Sequence, residues 1–207
     1  MPPIEMALPQ GFKMTELGPL PEEWEVVRLG EVVRLGSHAI NPAEAPTGRY
    51  VGLEYIEPGS TRIQKWGHHS EVRSLKTAFR PGDVLYGMLR PYLDKVALGM
   101  WEGICSTDIL VLRALSTQNW LMPEFRAYPA HTRTFLEYAI ATMTGVNDPR
   151  TSWKALQQLS VLLDQNGLNE QASKTVAIAW APSLPGCGFL LSGTAAAPPR
   201  SATTSSL

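Results

Sequence analysis

Short apolar runs between residues 84 and 112 give the clearest structural signal in the chain. Val84–Leu89 follows a Pro-Gly turn, Lys95–Leu98 follows a second turn that contains Pro91, and Ile109–Leu112 is continuously apolar. Apolar runs of this length, bounded by turn residues, are typical of β-strands. The pattern therefore predicts three strands, the last of them buried on both faces.

The N-terminal third carries weaker strand signals. A perfect tandem hexamer, EVVRLG, occupies Glu25–Gly30 and Glu31–Gly36. Two copies are too few for a solenoid, so the repeat predicts a short strand, a Gly turn, and then a second short strand or a helical turn. Tyr50–Ile56 alternates like a strand, whereas the rest of residues 37–61 is rich in Pro and Gly turn signals.

Helical periodicity is limited to the second half of the chain. Residues 131–143 place Phe135, Tyr138, Ala139 and Thr142 on one helical face. Residues 152–163 favour a short helix or an extended stretch. Together these elements predict a mixed α+β fold, with a twisted, mainly antiparallel sheet and one or two packed helices.

The 207 residues suffice for one medium domain with its own core. Residues 1–16 are expected to be a flexible leader, with Met14 as an alternative start. Residues 17–172 are expected to form the domain. Residues 173–207 are rich in Ala, Pro, Gly, Ser and Thr, which predicts a low-complexity, disordered tail.

Composition narrows the class of protein. A net charge of -1 excludes a bulk polycation that coats nucleic acid. No run of eighteen apolar residues occurs, and two cysteines cannot build a disulfide scaffold. The N-terminus lacks the basic and apolar regions of a secretory signal. The expectation is a cytoplasmic protein without a membrane partner.

The average charge conceals an uneven distribution. Residues 1–61 carry a net charge of -5, whereas residues 62–95 carry seven basic and three acidic side chains, a net charge of +4. A local basic patch can bind a phosphate backbone even in a nearly neutral protein. The alternative is an ordinary solvated face with scattered salt bridges.

Sequence motifs for catalysis are missing. The chain has no GxxxxGK[ST], no GxGxxG and no Asn-Pro-Pro-aromatic motif, and none of its six lysines follows Asp or Glu at the spacing of a common Mg²⁺ nuclease site. The adjacent His68 and His69 have poor metal-ligand spacing. Cys105 is expected to be a small buried apolar residue, with Ser106 and Thr107 hydrogen-bonded locally. No catalytic or metal site is therefore predicted.

Six stretches, in this order, resemble the specificity subunit of type I restriction–modification systems, and in particular its target recognition domain. Single pieces such as RPGD are weak signals, whereas the whole succession is specific and covers roughly residues 17–172. The stretches are Leu17–Gly30, Tyr50–Gly59, Phe79–Leu98, Gly103–Leu112, Thr144–Gly145 and Pro149–Trp153.

The resemblance implies a non-catalytic subunit that selects a sequence in double-stranded DNA. In that family, separate modification subunits use S-adenosylmethionine to methylate adenine. A separate restriction subunit translocates and cuts with ATP and Mg²⁺, so no cofactor is expected in this chain. Full-length members carry two target recognition domains, and this chain, which has one, resembles half of a full-length subunit. Its expected partners are DNA, both kinds of subunit, and a second half-subunit by self-association.

The chain departs from the family pattern near its end. Glu170 and Gln171 match the family, but the charged helix expected next is replaced by the tail. We hypothesise that a reading frame was lost near residue 172. A truncated, non-functional remnant therefore remains an alternative, and a stand-alone nuclease or methylase is a less favoured one.

The candidate DNA contacts come from residues 62–95, which we call the basic segment, and from one later loop. Arginine suits this role because its planar fork can bind a phosphate or a guanine edge in bidentate fashion. Tyr92 could pack on a sugar or a base edge. The alternatives are that Arg80 and Asp83 only stabilise a turn and that Arg90 pairs with Asp94. Trp24, Trp101 and Trp153 are expected in the core. The candidates are Arg73, Lys76, Arg80, Arg90, Tyr92, Lys95, Arg150 and Ser152, with Thr151 beside them.

Overall fold

The computed structural model describes residues 8–15, 17–115 and 127–164. These residues form short strands, three helices and several 3-10 turns. The helices are α1 (Leu29–Val32), α2 (Arg133–Ala141) and α3 (Trp153–Leu156). The strands are β1 (Phe12–Thr15), β2 (Gly18–Pro21), β3 (Trp24–Arg28), β4 (Val33–Gly36), β5 (Ala39–Ile40), β6 (Arg49–Val51), β7 (Gly67–His68), β8 (Lys76–Phe79), β9 (Val84–Gly87), β10 (Val96–Leu98), β11 (Gly103–Cys105), β12 (Ile109–Ala114) and β13 (Ser160–Asp164).

A four-stranded antiparallel sheet, in the order β10-β9-β12-β4, lies between two other layers. Successive side chains of a strand point to opposite faces, and both faces here are apolar. Leu85, Ala97 and Val111 face one layer, whereas Val84 and Tyr86 face the other. Burial on both sides explains why these strands are nearly continuous apolar runs in the sequence, as was predicted for Ile109–Leu112.

The helical layer covers one face of this sheet. Phe135 and Ala139 of α2 and Leu156 of α3 are buried against Tyr86 and its neighbours. The side-chain oxygen of Thr132 caps α2 by accepting a hydrogen bond from the backbone N–H of Phe135. The helical face predicted from the sequence is therefore confirmed.

A five-stranded sheet, in the order β5-β8-β11-β6-β7, covers the other face. Its pairs are antiparallel except β11 with β6, which is parallel. Val51, Phe79 and Cys105 of this sheet pack against Leu85 and Val111 of the first one. The α+β class and the mainly antiparallel sheet that the sequence predicts are confirmed.

The last described strand pairs with a strand from the N-terminal part of the chain. β13 lies antiparallel to β3 over five residue pairs, from Ser160 opposite Arg28 to Asp164 opposite Trp24. β1 and β2 form a separate hairpin. Residues 12–15, expected to belong to a flexible leader, are therefore in a strand. The predicted tail lies outside the described residues.

The predicted strand Tyr50–Ile56 is shorter than expected. β6 ends at Val51, and residues 53–55 form a 3-10 turn in which the N–H of Tyr55 donates to the carbonyl of Gly52. The turn returns Ile56 to the core, where it is almost fully buried. In residues 50–56, the alternation of apolar residues therefore marks side chains that are buried, although the backbone after Val51 is not a strand.

Candidate nucleic-acid interface

Three loops meet beyond the C-terminal end of β9. Their backbones are joined: the N–H of Met88 donates to the carbonyl of Asp108 (2.9 Å), that of Arg90 to Pro149 (2.8 Å), and that of Thr151 to Met88 (3.0 Å). We call this surface the loop end and define it as residues 88–95, 106–108 and 144–152. Backbone bonds between loops fix the relative positions of the side chains that they carry.

The middle of the loop end is a tight turn, residues 90–94. Arg90 and Asp94 both adopt the left-handed conformation, with φ values of 52° and 49°, on either side of a 3-10 turn at Pro91–Leu93. Residues other than glycine rarely adopt this conformation. Pro91 is buried, whereas Tyr92 and Leu93 are exposed.

Inward-facing groups hold the base of this turn. Nδ1 of His131 lies 2.9 Å from Oδ1 of Asp94, and the N–H of Gly59 donates to the Asp94 carbonyl (3.1 Å). Nζ of Lys95 donates to the carbonyl of Leu53 (2.6 Å). Lys95, predicted as a DNA contact, is therefore half-buried and hydrogen-bonded to its own chain.

The two arginines of the loop end each face a carboxylate. Nη2 of Arg90 lies 3.4 Å from Asp148, and Nη1 of Arg150 lies 2.7 Å from Asp108. The suggested pair of Arg90 with Asp94 is wrong, because Asp94 faces His131 instead. Both arginines are exposed, and exposed ion pairs are weak, so each arginine can exchange its carboxylate for a phosphate.

Ser152 and Thr151 have local roles. Oγ of Ser152 caps α3 by accepting from the N–H of Ala155 (3.2 Å), although the residue is exposed. Thr151 is buried, and its hydroxyl has no hydrogen-bond partner among the described residues. Ser152 can reach a ligand only by giving up part of this cap.

The remaining predicted contacts are not all on this surface. Lys76 is only 6% exposed; its Nζ donates to the hydroxyl of Ser74 (2.6 Å) and lies 5.9 Å from the Tyr50 ring centre. Burial makes Lys76 unsuited to contact DNA. Arg73 is exposed in the loop before β8, and Arg80 is exposed beyond the opposite end of β9 from Arg90. The basic segment is therefore divided in space.

Arg80 and Asp83 stabilise the turn before β9, as the alternative interpretation of the sequence suggested, through the backbone of Arg80. Asp83 accepts from the backbone N–H of Arg80 (2.8 Å), and its two oxygens accept from the Arg113 guanidinium (2.8 and 2.6 Å). These hydrogen bonds raise the pKa of Arg113. The guanidinium of Arg80 is left outside this arrangement.

Sequence reasoning did not single out two side chains, Arg49 and His131. The guanidinium of Arg49 lies 4.9 Å from the ring centres of both Trp66 and Trp101. The partners are distant in the sequence, so no local signal could have revealed the stack. The expectation that Trp101 contributes to the core is confirmed, since it packs on a buried cluster, as Trp24 and Trp153 do on the other two.

The cysteine, serine and histidines that the sequence analysis considered for catalysis or metal binding are buried or hydrogen-bonded to nearby groups. Cys105 is fully buried, which raises the pKa of its thiol to about 12, and Ser106 accepts a hydrogen bond from the N–H of Asp108. Nδ1 of His69 lies 2.7 Å from the carbonyl of Pro42, and that of His68 lies 2.8 Å from the Ser70 hydroxyl.

The part of the chain that the structure describes has neither a metal-binding group of side chains nor a membrane-spanning helix. In residues 8–15, 17–115 and 127–164, no three His, Cys, Asp or Glu side chains are grouped to hold a metal ion. No helix in this part of the chain is long and apolar enough to cross a membrane.

Comparison with known proteins identifies similar chains. No protein-family model matches. The type I restriction enzyme EcoDI specificity subunit of Escherichia coli is 26% identical over 161 residues, which are 77% of this chain and 35% of that protein. The chain thus spans about a third of that relative's length. The resemblance to type I specificity subunits that the sequence predicts is confirmed.

Two solved structures share the fold. A chain in a structure that concerns complex assembly and conformational transition of a type I R-M system is 27% identical, with a TM-score of 0.58, and the match covers 70% of this chain and 38% of that one. The HsdS subunit from Thermoanaerobacter tengcongensis is 26% identical, with a TM-score of 0.56 and the same coverage.

Proposed function

We propose that this chain recognises a sequence in double-stranded DNA as a target recognition module of a type I restriction–modification complex. In this role it directs adenine methylation and restriction by partner subunits and catalyses neither reaction itself. The observation that carries the proposal is the similarity to type I specificity subunits over three quarters of the chain. The loop end supports it, since Arg90, Tyr92 and Arg150 come together there although 60 positions separate the two arginines.

The charges of the loop end suit selective binding. When DNA approaches, Arg90 and Arg150 can turn from Asp148 and Asp108 to phosphates and release the counterions of the DNA. The freed carboxylates then repel phosphate, but they can accept a hydrogen bond from cytosine N4 in the major groove. A surface that carries both signs therefore binds weakly to most DNA and more strongly to a matching sequence.

The partners follow from the same proposal. Modification subunits supply S-adenosylmethionine chemistry, a restriction subunit supplies ATP- and Mg²⁺-dependent cleavage, and this chain holds no cofactor of its own. A second copy of this half-subunit is proposed to complete the assembly in the cytoplasm.

Fluorescence anisotropy with labelled duplexes over a range of salt concentrations tests the DNA-binding function. We expect the double variant Arg90→Ala/Arg150→Ala to bind more weakly. The slope of log K against log salt should become shallower by about 2, because each lost phosphate contact removes about 0.9. The control is Arg34→Ala, an exposed arginine on β4 opposite Arg113, which should keep the slope. An unchanged slope in the double variant removes the loop end from the interface.

The alternative of a truncated remnant makes a different prediction. A remnant without function should elute as a mixture of sizes and unfold without cooperativity, whereas a competent domain should be monodisperse and melt in one transition. Size-exclusion chromatography and thermal melting of the full chain separate these outcomes.

A further inference from the structure

The turn at residues 90–94 combines features that the proposed function does not by itself require. Its two end residues, Arg90 and Asp94, are held in the left-handed conformation, which is unfavourable for arginine and better tolerated by aspartate. Unfavourable backbone conformations persist where the surrounding structure imposes them, and they are concentrated at functional sites.

Contacts from three other segments hold this turn in place. The carbonyl of Pro149 accepts from the N–H of Arg90, the N–H of Gly59 donates to the carbonyl of Asp94, and the imidazole of His131 faces the Asp94 carboxylate. The turn is therefore formed before any ligand binds.

The tip of the turn is apolar although it faces solvent. Tyr92 and Leu93 are 48% and 39% exposed. Arg90, which is exposed, begins the same turn, and the backbone of the exposed Arg150 bridges that of Leu89, the residue before Arg90. An apolar tip beside cations suits the edge of a base-pair stack, where the cations bind the phosphates and the apolar groups enter between bases.

We propose that the turn is a preformed wedge, in which Tyr92 and Leu93 enter a base step of the bound DNA, unstack it and bend the duplex. This inference rests on the proposed function and adds a mechanism of sequence selection. Pyrimidine–purine steps deform most easily, so the wedge favours sites that contain such a step at a fixed position. His131 acts as a positioning residue, because it holds Asp94 at the base of the wedge.

The test uses the full chain without partner subunits. The chain first selects duplexes from a random-sequence pool, and adenines of the selected duplex are then replaced one at a time by the fluorescent base 2-aminopurine. We expect the selected sequences to share a pyrimidine–purine step and the 2-aminopurine at that step to brighten on binding. The variant Tyr92→Ala/Leu93→Ala should lose the brightening and bind at least tenfold more weakly.

Two controls make the test specific. Met100→Ala removes an exposed apolar side chain beyond the C-terminal end of β10, away from the loop end, and it should change neither signal. His131→Ala should weaken the brightening, and His131→Asn, which retains an N–H donor near the position of Nδ1, should restore most of it.

The outcomes separate the wedge from the proposed function. If the chain binds its selected duplex but no 2-aminopurine brightens, or if the Tyr92→Ala/Leu93→Ala variant brightens as the unaltered chain does, the wedge is overturned and DNA recognition stands. The same holds if the apolar tip serves to dock a protein, because the double variant then binds DNA normally. If the unaltered chain selects no duplex, DNA recognition fails and the wedge fails with it.

Discussion

Asp83 is a carboxylate with only 3% of its surface exposed, and both of its oxygens are bound by the Arg113 guanidinium. Removal of one partner from a buried ion pair leaves the other charge poorly solvated. We expect Asp83→Asn to lower the free energy of unfolding by about 2–3 kcal/mol, below the usual loss for a fully buried pair, because Arg113 is partly exposed. Urea unfolding measures the change.

The matched control is the exposed pair of Arg133 and Glu137 on α2. Exposed pairs contribute little to stability because solvent screens them, so Glu137→Gln should leave the unfolding curve unchanged. Equal losses in Asp83→Asn and Glu137→Gln would show that burial of the Asp83 carboxylate is unimportant.

Cys105 lies between the two sheets, where burial raises the pKa of its thiol from 9.0 to about 12. The thiolate is the reactive form, so native Cys105 should not react with an aromatic disulfide reagent at pH 8 in a Cys187→Ser chain, and it should react at once in denaturant. Fast labelling of the native chain at pH 8 would contradict this burial.

The raised pKa of Cys105 also makes the stability of the fold depend on pH. The thiol ionises first in the unfolded chain as pH rises, so the stability that is present below pH 9 should fall between pH 9 and 12.

Residue roles in the basic segment were only partly predictable. The sequence identifies which positions are cationic, but it does not show which of them are buried. Lys76 lies close to Tyr50 and bonds to Ser74, and the contact to Tyr50 exists only after β6 and β8 join one sheet. The exposed arginines, Arg73, Arg80 and Arg90, keep the accessibility that the charge pattern suggests.

Among the secondary-structure elements, the tandem hexamer shows that local sequence alone does not determine whether a segment becomes a strand or a helix. In the first copy, EVVR lies in β3 and LG begins α1; in the second, EV ends α1 and VRLG forms β4. Identical residues thus adopt different structures. The difference comes from tertiary contacts, since the N–H groups of Leu29 and Gly30 donate to the carbonyls of Leu159 and Gln157.

The longer apolar strands were predictable because their residues are buried on both faces and need no particular turn. The loop end was not, because backbone bonds such as that between Arg90 and Pro149 join loops that are far apart in the sequence. A local pattern therefore identifies β9 and β12 but cannot place their loops beside residues 144–152.

β13, the last strand of the described residues, pairs with β3. Val161 and Leu162 of β13 are buried, and β3 has no other strand partner among the described residues. A chain that stops after Leu159 loses burial worth about 3–6 kcal/mol, which is comparable to the whole stability of many domains. We expect it to unfold. A chain that stops after Ala172 retains β13 and should melt at the same temperature as the full chain.

Circular dichroism during heating distinguishes these two truncations. A lower melting temperature after removal of residues 173–207 would contradict the expectation that the tail contributes nothing to the core. A folded chain without β13 would show that the remaining contacts of β3, such as the packing of Val27 on the main core and of Trp24 and Val26 near Leu17 and Leu20, suffice to hold it.

At the scale of the whole molecule, the fold distributes positive charge over more than one surface. The candidates that are exposed arginines are Arg73, Arg80, Arg90 and Arg150, and Arg80 and Arg90 lie beyond opposite ends of β9. Each phosphate contact contributes about 0.9 to the salt dependence of binding. One copy of the chain should therefore give a slope of log K against log salt of about -4 or shallower.

This limit makes the salt slope a measure of the number of chains on the DNA. If two half-subunits must pair before they bind a two-part site, the same contacts occur twice and the slope should approach about -7. Anisotropy titrations with a labelled duplex, combined with light scattering of the complex, give the slope and the stoichiometry together. A slope near -7 with one chain per duplex would contradict this count. It would mean that cations other than these four arginines contact the phosphates, because four arginines account for a slope of only about -4.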